Sequence, residues 1–341
     1  MEIKEILREI SQKYGVSGFE ADVRTYLVEK LNSVCAEVSV KKGNILAGLN
    51  HRDPAKKTVL LEAHMDKIGL IITEVLENGF AKFKCLGGVD ERTLPASEVF
   101  VLGSEPYFGV IGALPPHLKG QAEGEDVLKP SDMVIDLGLD GNGETPKISV
   151  GDPVVLKSGF TALANDIVSM AAIDNRGGVA TILGVLDSLK GAEIPYNVEV
   201  AFTTGEELGL QGAAALDTEG VDLAVVIDAT HGRTPDAKKE DTFPLGAGPV
   251  ICRGPNLDFD ITNRIIDFAR KADIPFEIEV ASGNTGTDAW AIQVGGMGVP
   301  CVLASIPVSY MHTVVETASV CDMENTAKLI CGLVQGGELF A

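Results

Sequence analysis

Four short apolar runs alternate with helix-like stretches along the chain, and this pattern constrains the fold more than any other feature. Each run is followed by polar or glycine-containing sequence; they are "TVLLEAHMD" from residue 58, "NVEVAFTT" at 197–204, "LAVVIDAT" at 223–230 and "CVLASIP" at 301–307. Short continuous apolar runs with such boundaries are typical of buried strands. Because helical patterns separate several of them, we expect an α/β fold with a sheet covered by helices on both faces.

Helical patterns occur at the start of the chain, near its middle and at residues 256–274. Ile3, Ile6, Leu7 and Ile10 recur at helical spacing with charged residues between them. The segment "DNRGGVATILGVLDSLKG" begins with Asp and ends with Gly, which are good capping residues, and "NLDFDITNRIIDFARKADI" is amphipathic. The first segment lacks the continuous apolar region of a signal peptide. No run reaches the ~18 apolar residues of a membrane span.

The segment from about residue 69 to 162 has a different pattern. It consists of short extended stretches separated by Gly and Pro turns, "DGNGE" at 140–144 among them, and it contains no convincing helix. We therefore expect a small β-barrel or sandwich inserted into an α/β domain. The predicted division assigns 1–68 and 163–341 to the α/β domain and 69–162 to the insertion.

The charge and the cysteines exclude several classes of protein. The formal net charge is −21, which argues against nucleic acid or anionic membrane as a partner, because both bind basic surfaces. The six cysteines include no CxxC pair and most have apolar neighbours. Reduced core thiols in a cytoplasmic protein are the expected state.

Polar side chains follow the predicted strands, at the points where open α/β sheets place their sites. The set contains two histidines and five carboxylates: His64, Asp66, Asp174, Glu206, Glu207, Asp228 and His312. Imidazole with carboxylate suits zinc, cobalt or manganese, and two cations at ~3.5–4 Å need a shared carboxylate bridge. The set therefore predicts a paired divalent-metal site. Taken singly, each residue is more simply explained as a cap, a turn residue or a solvated side chain.

The neighbouring acids Glu206 and Glu207 are expected to divide the work. Adjacent side chains on an extended chain point in opposite directions, so one glutamate would bind metal while the other accepts a proton from water. Gly205, Gly209 and Gly212 flank the pair and permit a tight backbone there.

Seven motifs in their order and spacing resemble the tetrahedral aminopeptidases, a family of dinuclear metallopeptidases that includes glutamyl and deblocking aminopeptidases and "cellulase M"-type proteins. The resemblance covers nearly the whole chain. The motifs are "GVSGFE" at 15–20, "AHMDKIG" at 63–69, "AAIDNRGG" at 171–178, "GEELGLQGA" at 205–213, "VVIDAT" at 225–230, "GTDAWAI" at 286–292 and "YMHTVVE" at 310–316.

The resemblance implies a role for each candidate residue. One metal would be held by His64, Asp174 and Asp228, and the other by Asp174, Glu207 and His312, with Asp174 bridging. Glu206 would be the general base and then the general acid. Asp66 would hydrogen-bond His64 from behind and fix its tautomer, as such carboxylates do in metal sites. Asp288 and His231 would contact substrate, although a helix cap and a plain loop histidine are the alternatives.

The resemblance also implies a substrate class, a catalytic domain with a mixed sheet like that of zinc peptidases, and an assembly. Short peptides with a free N-terminus would be hydrolysed, and the inserted domain would help to build a dimer and then a twelve-subunit tetrahedron. Lys67, Trp290 and Ser309 depart from the family pattern, which leaves the side-chain preference open. A metal-dependent amidohydrolase acting on an acylated amino acid or amino sugar, and a catalytically silent relative, are the alternative functions.

Overall fold

The computed structural model of the protein describes residues 1–115, 127–138, 147–235 and 237–340. The helices are α1 Ile3–Ile10, α2 Ala21–Asn32, α3 Ile173–Leu189, α4 Gln211–Ala214, α5 Phe259–Lys271, α6 Asp288–Ile292 and α7 Val320–Gly336. The first nine strands are β1 Glu37–Lys41, β2 Asn44–Gly48, β3 Thr58–His64, β4 Gly69–Val75, β5 Phe80–Leu86, β6 Glu98–Leu102, β7 Pro106–Ala113, β8 Met133–Asp136 and β9 Pro153–Leu156. The remaining strands are β10 Thr161–Ala162, β11 Ile167–Ser169, β12 Asn197–Thr203, β13 Leu223–His231, β14 Val250–Arg253, β15 Glu277–Val280, β16 Cys301–Val308 and β17 Thr317–Ser319.

The large sheet contains all four apolar runs as neighbouring strands. Its order is β1-β2-β12-β3-β13-β16-β14-β15. Strands β12, β3, β13 and β16 pair in parallel, whereas β2 and β14 pair antiparallel with the strands at the two sides of this group. The predicted mixed α/β sheet is therefore confirmed. Because the four central strands are parallel, their carboxyl ends lie at one edge of the sheet.

Helices cover both faces of this sheet, as the apolar runs require. The larger core cluster packs side chains of α1, α2, α3, α5 and α7 against one face. The smaller cluster, with Leu60, Val226 and Leu303 from the strands, packs against Ala213 of α4 and Ile292 of α6 on the other face. Strands β3 and β16 are buried along their whole length, which explains why their sequences do not alternate between apolar and polar residues.

The inserted segment forms a closed barrel of six strands in the order β4-β5-β8-β7-β6-β9. Its interior holds a separate apolar cluster that includes Leu70, Phe83, Val99 and Ile135. The predicted small β-barrel is therefore part of the fold. Strand β10 pairs with β11 outside the barrel, and the turn predicted at 140–144 lies outside the described residues.

The remaining expectations concern cysteines and membranes. All six cysteines are free thiols, as predicted, but two of them, Cys252 and Cys301, are buried in the core and the other four are partly buried. None of the helices in the described part of the chain is both long enough and apolar enough to cross a bilayer.

Candidate metal centre

Five of the predicted residues meet at the carboxyl edge of the large sheet. His64 is the last residue of β3, Asp228 lies in β13, and Asp174 lies at the start of α3. Glu207 lies in the turn after β12 and His312 in the loop after β16. They form two groups that share Asp174, and the ligand atoms of each group lie within 4.8 Å of one another.

Asp174 lies between the two groups with one carboxylate oxygen directed to each. Its Oδ1 is 3.2 Å from Nε2 of His64, and its Oδ2 is 3.3 Å from Nε2 of His312. Asp228 Oδ1 lies 3.6 Å from the same His64 nitrogen, and Glu207 Oε2 lies 3.6 Å from the same His312 nitrogen. This is the arrangement in which one carboxylate can bridge two cations.

The charges at this edge are crowded and shielded from water. Burial, together with neighbouring carboxylates, raises the pKa of Glu206 to about 9 and that of Glu207 to about 8. Burial also raises the pKa of Asp228. For Asp174, burial acts in the same direction, but contacts with His312 and His64 outweigh it and lower the pKa. So many acids in one buried site are favourable only when cations balance them.

The two histidines complete a donor set that fits divalent cations. A hydrogen bond with Asp174 raises the pKa of His312 to about 9, despite burial. At His64, burial lowers the pKa, but the surrounding carboxylates outweigh burial and raise it well above its usual value. Imidazole nitrogens and carboxylate oxygens are the donors that zinc, cobalt and manganese accept. The residues present therefore suit a metal centre.

Glu206 lies beside the group that contains His64 and Asp228, but it belongs to neither of the two ligand groups. Its Oε2 is 3.9 Å from Nε2 of His64. The chain at Glu206–Leu208 is a 3-10 turn, so the predicted extended backbone is wrong. The two glutamates separate because the turn directs Glu206 towards His64 and Glu207 towards His312.

Glycines frame this turn at positions where the backbone requires them. Gly205 has φ +64° and Gly209 has φ +101°, in the left-handed region that favours glycine. The predicted role in the tight backbone is therefore confirmed for these two glycines, whereas Gly212 lies in α4, where an added Cβ would be 2.3 Å from the Thr204 carbonyl oxygen.

Asp66 supports both the first histidine and the glutamate turn. Its Oδ1 lies 3.4 Å from Nδ1 of His64. It also accepts backbone N–H groups from Glu206 at 3.0 Å and Glu207 at 3.3 Å, and the Ser17 hydroxyl donates to its other oxygen. Burial opposes the charge on Asp66, but the contacts with His64, Ser17 and the Glu206 N–H lower its pKa overall.

Glu316 is a buried carboxylate that the sequence motif contained but to which sequence reasoning gave no role. Its Oε2 accepts the backbone N–H of Asp174 at 3.0 Å, and its Oε1 accepts that of His312 at 2.9 Å. His312 has φ +63°, a conformation that a residue with a side chain rarely adopts. One carboxylate thus fixes the backbone of two proposed ligands on different elements.

We expect Glu316→Gln to weaken cation binding by about 10–100-fold, the usual effect of removing a group that orients metal ligands. An amide has one acceptor oxygen, so glutamine can satisfy only one of the two N–H groups. Titration calorimetry with zinc or cobalt measures the effect. Glu324→Gln, an exposed change on α7, is the matched control. Unchanged affinity in Glu316→Gln would contradict this role.

The barrel also contributes to the centre, through Gly88 in the loop after β5. The Gly88 carbonyl lies 2.9 Å from Nδ1 of His312, which places Nε2 towards Asp174. A Cβ atom at Gly88 would lie only 2.7 Å from that Nδ1. The contact joins residues 224 positions apart, and no local pattern predicts it.

A cavity of about 810 Å³ opens from the metal centre. His231, at the end of β13, is exposed and lines this cavity. Asp288 is the first residue of α6 and is buried; its Oδ2 lies 2.5 Å from the Thr203 hydroxyl. Asp288 is not among the described residues that line the cavity, so its placement favours a structural role over the predicted substrate contact.

The three residues that depart from the family pattern also lie away from the described lining of the cavity. Lys67 and Ser309 are buried, and burial lowers the pKa of Lys67 to about 7. Trp290 is partly exposed on α6. None of these three side chains therefore shapes the described lining of the cavity.

Comparison with known proteins places this geometry in a family. The family model described as M42 glutamyl aminopeptidase matches residues 43–329. A lysyl aminopeptidase of Pyrococcus furiosus is 30% identical, and the match covers 97% of this chain and 96% of that protein.

Two solved structures are similar to this chain over nearly their full length. A TET aminopeptidase from a Thaumarchaeota archaeon has a TM-score of 0.91 at 27% identity, covering 98% of this chain and 96% of its own. The Pyrococcus horikoshii TET1 peptidase, described as assembling into a tetrahedron or a large octahedral shell, has a TM-score of 0.83 at 31% identity, covering 97% and 99%. Because the family match spans most of the sequence and the metal-binding cluster is intact, the chain belongs to the M42 family of metal-dependent aminopeptidases.

Proposed function

We propose that this aminopeptidase removes the N-terminal residue of short peptides at a pair of divalent cations. The observation that carries the proposal is Asp174, whose two oxygens face two different ligand groups. We assign His64, Asp174 and Asp228 to one cation. The other cation is assigned to Asp174, Glu207 and His312. Zinc and cobalt suit these donors best, and manganese is also compatible with them.

Glu206 is the proton carrier in this proposal. Bound cations would supply Lewis acidity at the substrate carbonyl and lower the pKa of the attacking water. Glu206 lies outside both ligand groups, so its carboxylate accepts the proton of that water and then donates it to the leaving amine. Asp66 accepts the backbone N–H of Glu206 and lies against His64. These contacts fix the position of the proton carrier relative to a proposed metal ligand.

A free N-terminus is the feature that the site recognises. The free α-amino group of a peptide would bind one of the cations or a nearby carboxylate, whereas an acylated nitrogen has neither a free lone pair for a cation nor a positive charge. This difference favours exopeptidase action over the removal of acyl groups. It also distinguishes the proposal from an amidohydrolase that cleaves an acylated amino acid or amino sugar.

The test is metal removal and reconstitution with matched substrates. After chelation and dialysis, we expect hydrolysis of leucine p-nitroanilide to fall by at least roughly 100-fold, because carbonyl polarisation and water activation both depend on the cations. Zinc, cobalt or manganese should restore it. The control is N-acetyl-leucine p-nitroanilide, which should not be cleaved in either state. Thermal melting of the chelated protein checks that it is still folded.

Two other outcomes would contradict the proposal. Release of acetate from N-acetyl-leucine p-nitroanilide, detected by mass spectrometry because this reaction leaves the anilide bond intact, would identify a deacylase. Absence of both bound metal and turnover after reconstitution would identify a catalytically silent member of the family.

We also propose that segment 69–162 is an assembly domain through which the chain forms a homo-oligomer. In this proposal two chains form a dimer, and six dimers form a dodecamer. The barrel exposes apolar side chains at Phe108, Val110 and Leu114, and exposed apolar surface of this kind favours association. Light scattering of the purified protein measures the assembly mass. A monomer at micromolar concentration would contradict this part of the proposal.

A further inference from the structure

Beyond the metal centre, the cavity extends across one face of the large sheet. Cys252 of β14 and Leu303 of β16 belong to the same buried apolar cluster and line the cavity there. Glu279 of β15 pairs in register with Cys252 and also lines the cavity. This part of the cavity therefore has an apolar floor with a carboxylate at its far side.

Glu279 is half-buried and is held by the strand that also provides a metal ligand. The hydroxyl of Thr230 lies 3.3 Å from Oε1 of Glu279 and donates to it. Thr230 is two residues beyond Asp228 in β13, and two residues along a strand span about 7 Å. The side chain of a substrate residue bound at the metals could reach Glu279 by crossing the apolar floor.

The charge at this end of the cavity is negative. Among the described lining residues, Glu279 is the one carboxylate outside the cluster formed by the metal-ligand residues and Glu206, and no lysine or arginine lines the cavity. His231 and Cys252 are the other titratable side chains there; burial raises the pKa of Glu279, and the Thr230 hydroxyl and the exposed His231 oppose this shift. A cationic substrate group would therefore meet an acid that no lysine or arginine neutralises.

We propose that Glu279 selects peptides whose N-terminal residue has a basic side chain, lysine or arginine. The inference rests on the proposed aminopeptidase function and names its substrate class. Lysine and arginine combine an aliphatic stem with a terminal cation. The stem packs over Leu303 and Cys252, and the cation forms a charge-assisted hydrogen bond with Glu279. An acidic side chain, which the family's glutamyl description would suggest, is repelled by the same carboxylate.

The test compares lysine with norleucine, which has a similar stem and no charge. We expect wild-type kcat/KM for lysyl p-nitroanilide to exceed that for norleucyl p-nitroanilide by about tenfold or more, the range of a hydrogen bond to a charged group. Glu279→Gln should reduce this ratio to about one, mainly by lowering the value for lysine. Glu277→Gln, on the same strand but outside the cavity lining, should keep the wild-type ratio.

Two results would overturn the proposal: a wild-type preference for glutamyl over norleucyl substrate, or an unchanged lysine-to-norleucine ratio in Glu279→Gln. If no substrate is hydrolysed, the proposed aminopeptidase action fails, and the pocket is then tested by binding alone. Calorimetry with lysinamide and norleucinamide serves this purpose. Tighter binding of lysinamide that is lost in Glu279→Gln supports the selection, and equal binding of both amides overturns it.

Discussion

Glu206→Gln is expected to lower kcat by roughly 10²–10⁴-fold while the protein keeps its full metal content, because loss of a positioned general base has this effect. Glutamine has nearly the same shape as glutamate but cannot accept the proton of the attacking water. Glu206 belongs to neither ligand group, so both cations should remain bound. Single-turnover kinetics and elemental analysis of the same preparation measure the two quantities.

The matched control for this variant is Glu219→Gln, an exposed change further along the chain. It should leave both kcat and metal content at wild-type values. Two results would contradict the role given to Glu206. One is a wild-type kcat in Glu206→Gln, and the other is loss of a cation, since that would make Glu206 a ligand.

Asp174→Asn is expected to remove both cations and to reduce turnover below detection. The neutral amide has one oxygen and one nitrogen, so it cannot present an anionic oxygen to both His64 and His312. We expect the affinity of each site to fall by at least about 100-fold, since both sites lose a charged ligand and the bridge that offsets repulsion between the cations. Calorimetric metal titration measures each site.

Asp228→Asn is the comparison that makes this prediction specific. Asp228 belongs to one ligand group only, so this variant should weaken one site more than the other. Thermal melting of both variants separates metal loss from unfolding. Retention of one full-affinity site in Asp174→Asn would show that the two groups do not share Asp174.

The four central strands of the large sheet could be predicted from the sequence, because burial on both faces produces short continuous apolar runs. Strands β3, β12, β13 and β16 are short apolar runs, and each carries or precedes a polar group of the site. Parallel strands bring such groups to one edge. The positions of His64, Asp228 and His312 relative to these strands therefore predict that the three side chains lie at the same edge of the sheet.

Local backbone geometry at the site could not be predicted in the same way. Asp174 resembles a helix N-cap in the sequence and has non-helical angles of φ −78° and ψ 103°, yet the side chain that accepts an N–H of the first turn is that of Asn175, from Gly178 at 3.1 Å. The pair Glu206–Glu207 resembles the continuation of a strand, yet it forms a turn. In both places, contacts from distant parts of the chain override the local preference.

No local sequence pattern predicts the contacts that hold the proposed metal ligands in place. Glu316 meets Asp174 across 142 residues, and Gly88 meets His312 across 224 residues. Asp288 differs from these residues, because its motif predicts a substrate contact whereas its side chain is buried against Thr203, and its role stays a prediction. Such placements depend on how the barrel loop and the helices dock, which a single sequence does not specify.

Anomalous diffraction from crystals loaded with zinc or cobalt tests the central claim most directly. Two peaks are predicted, about 3.5–4 Å apart, each within bonding distance of a different oxygen of Asp174, with the Glu206 carboxylate bound to neither. A single peak, or a peak coordinated by Glu206, would contradict the account.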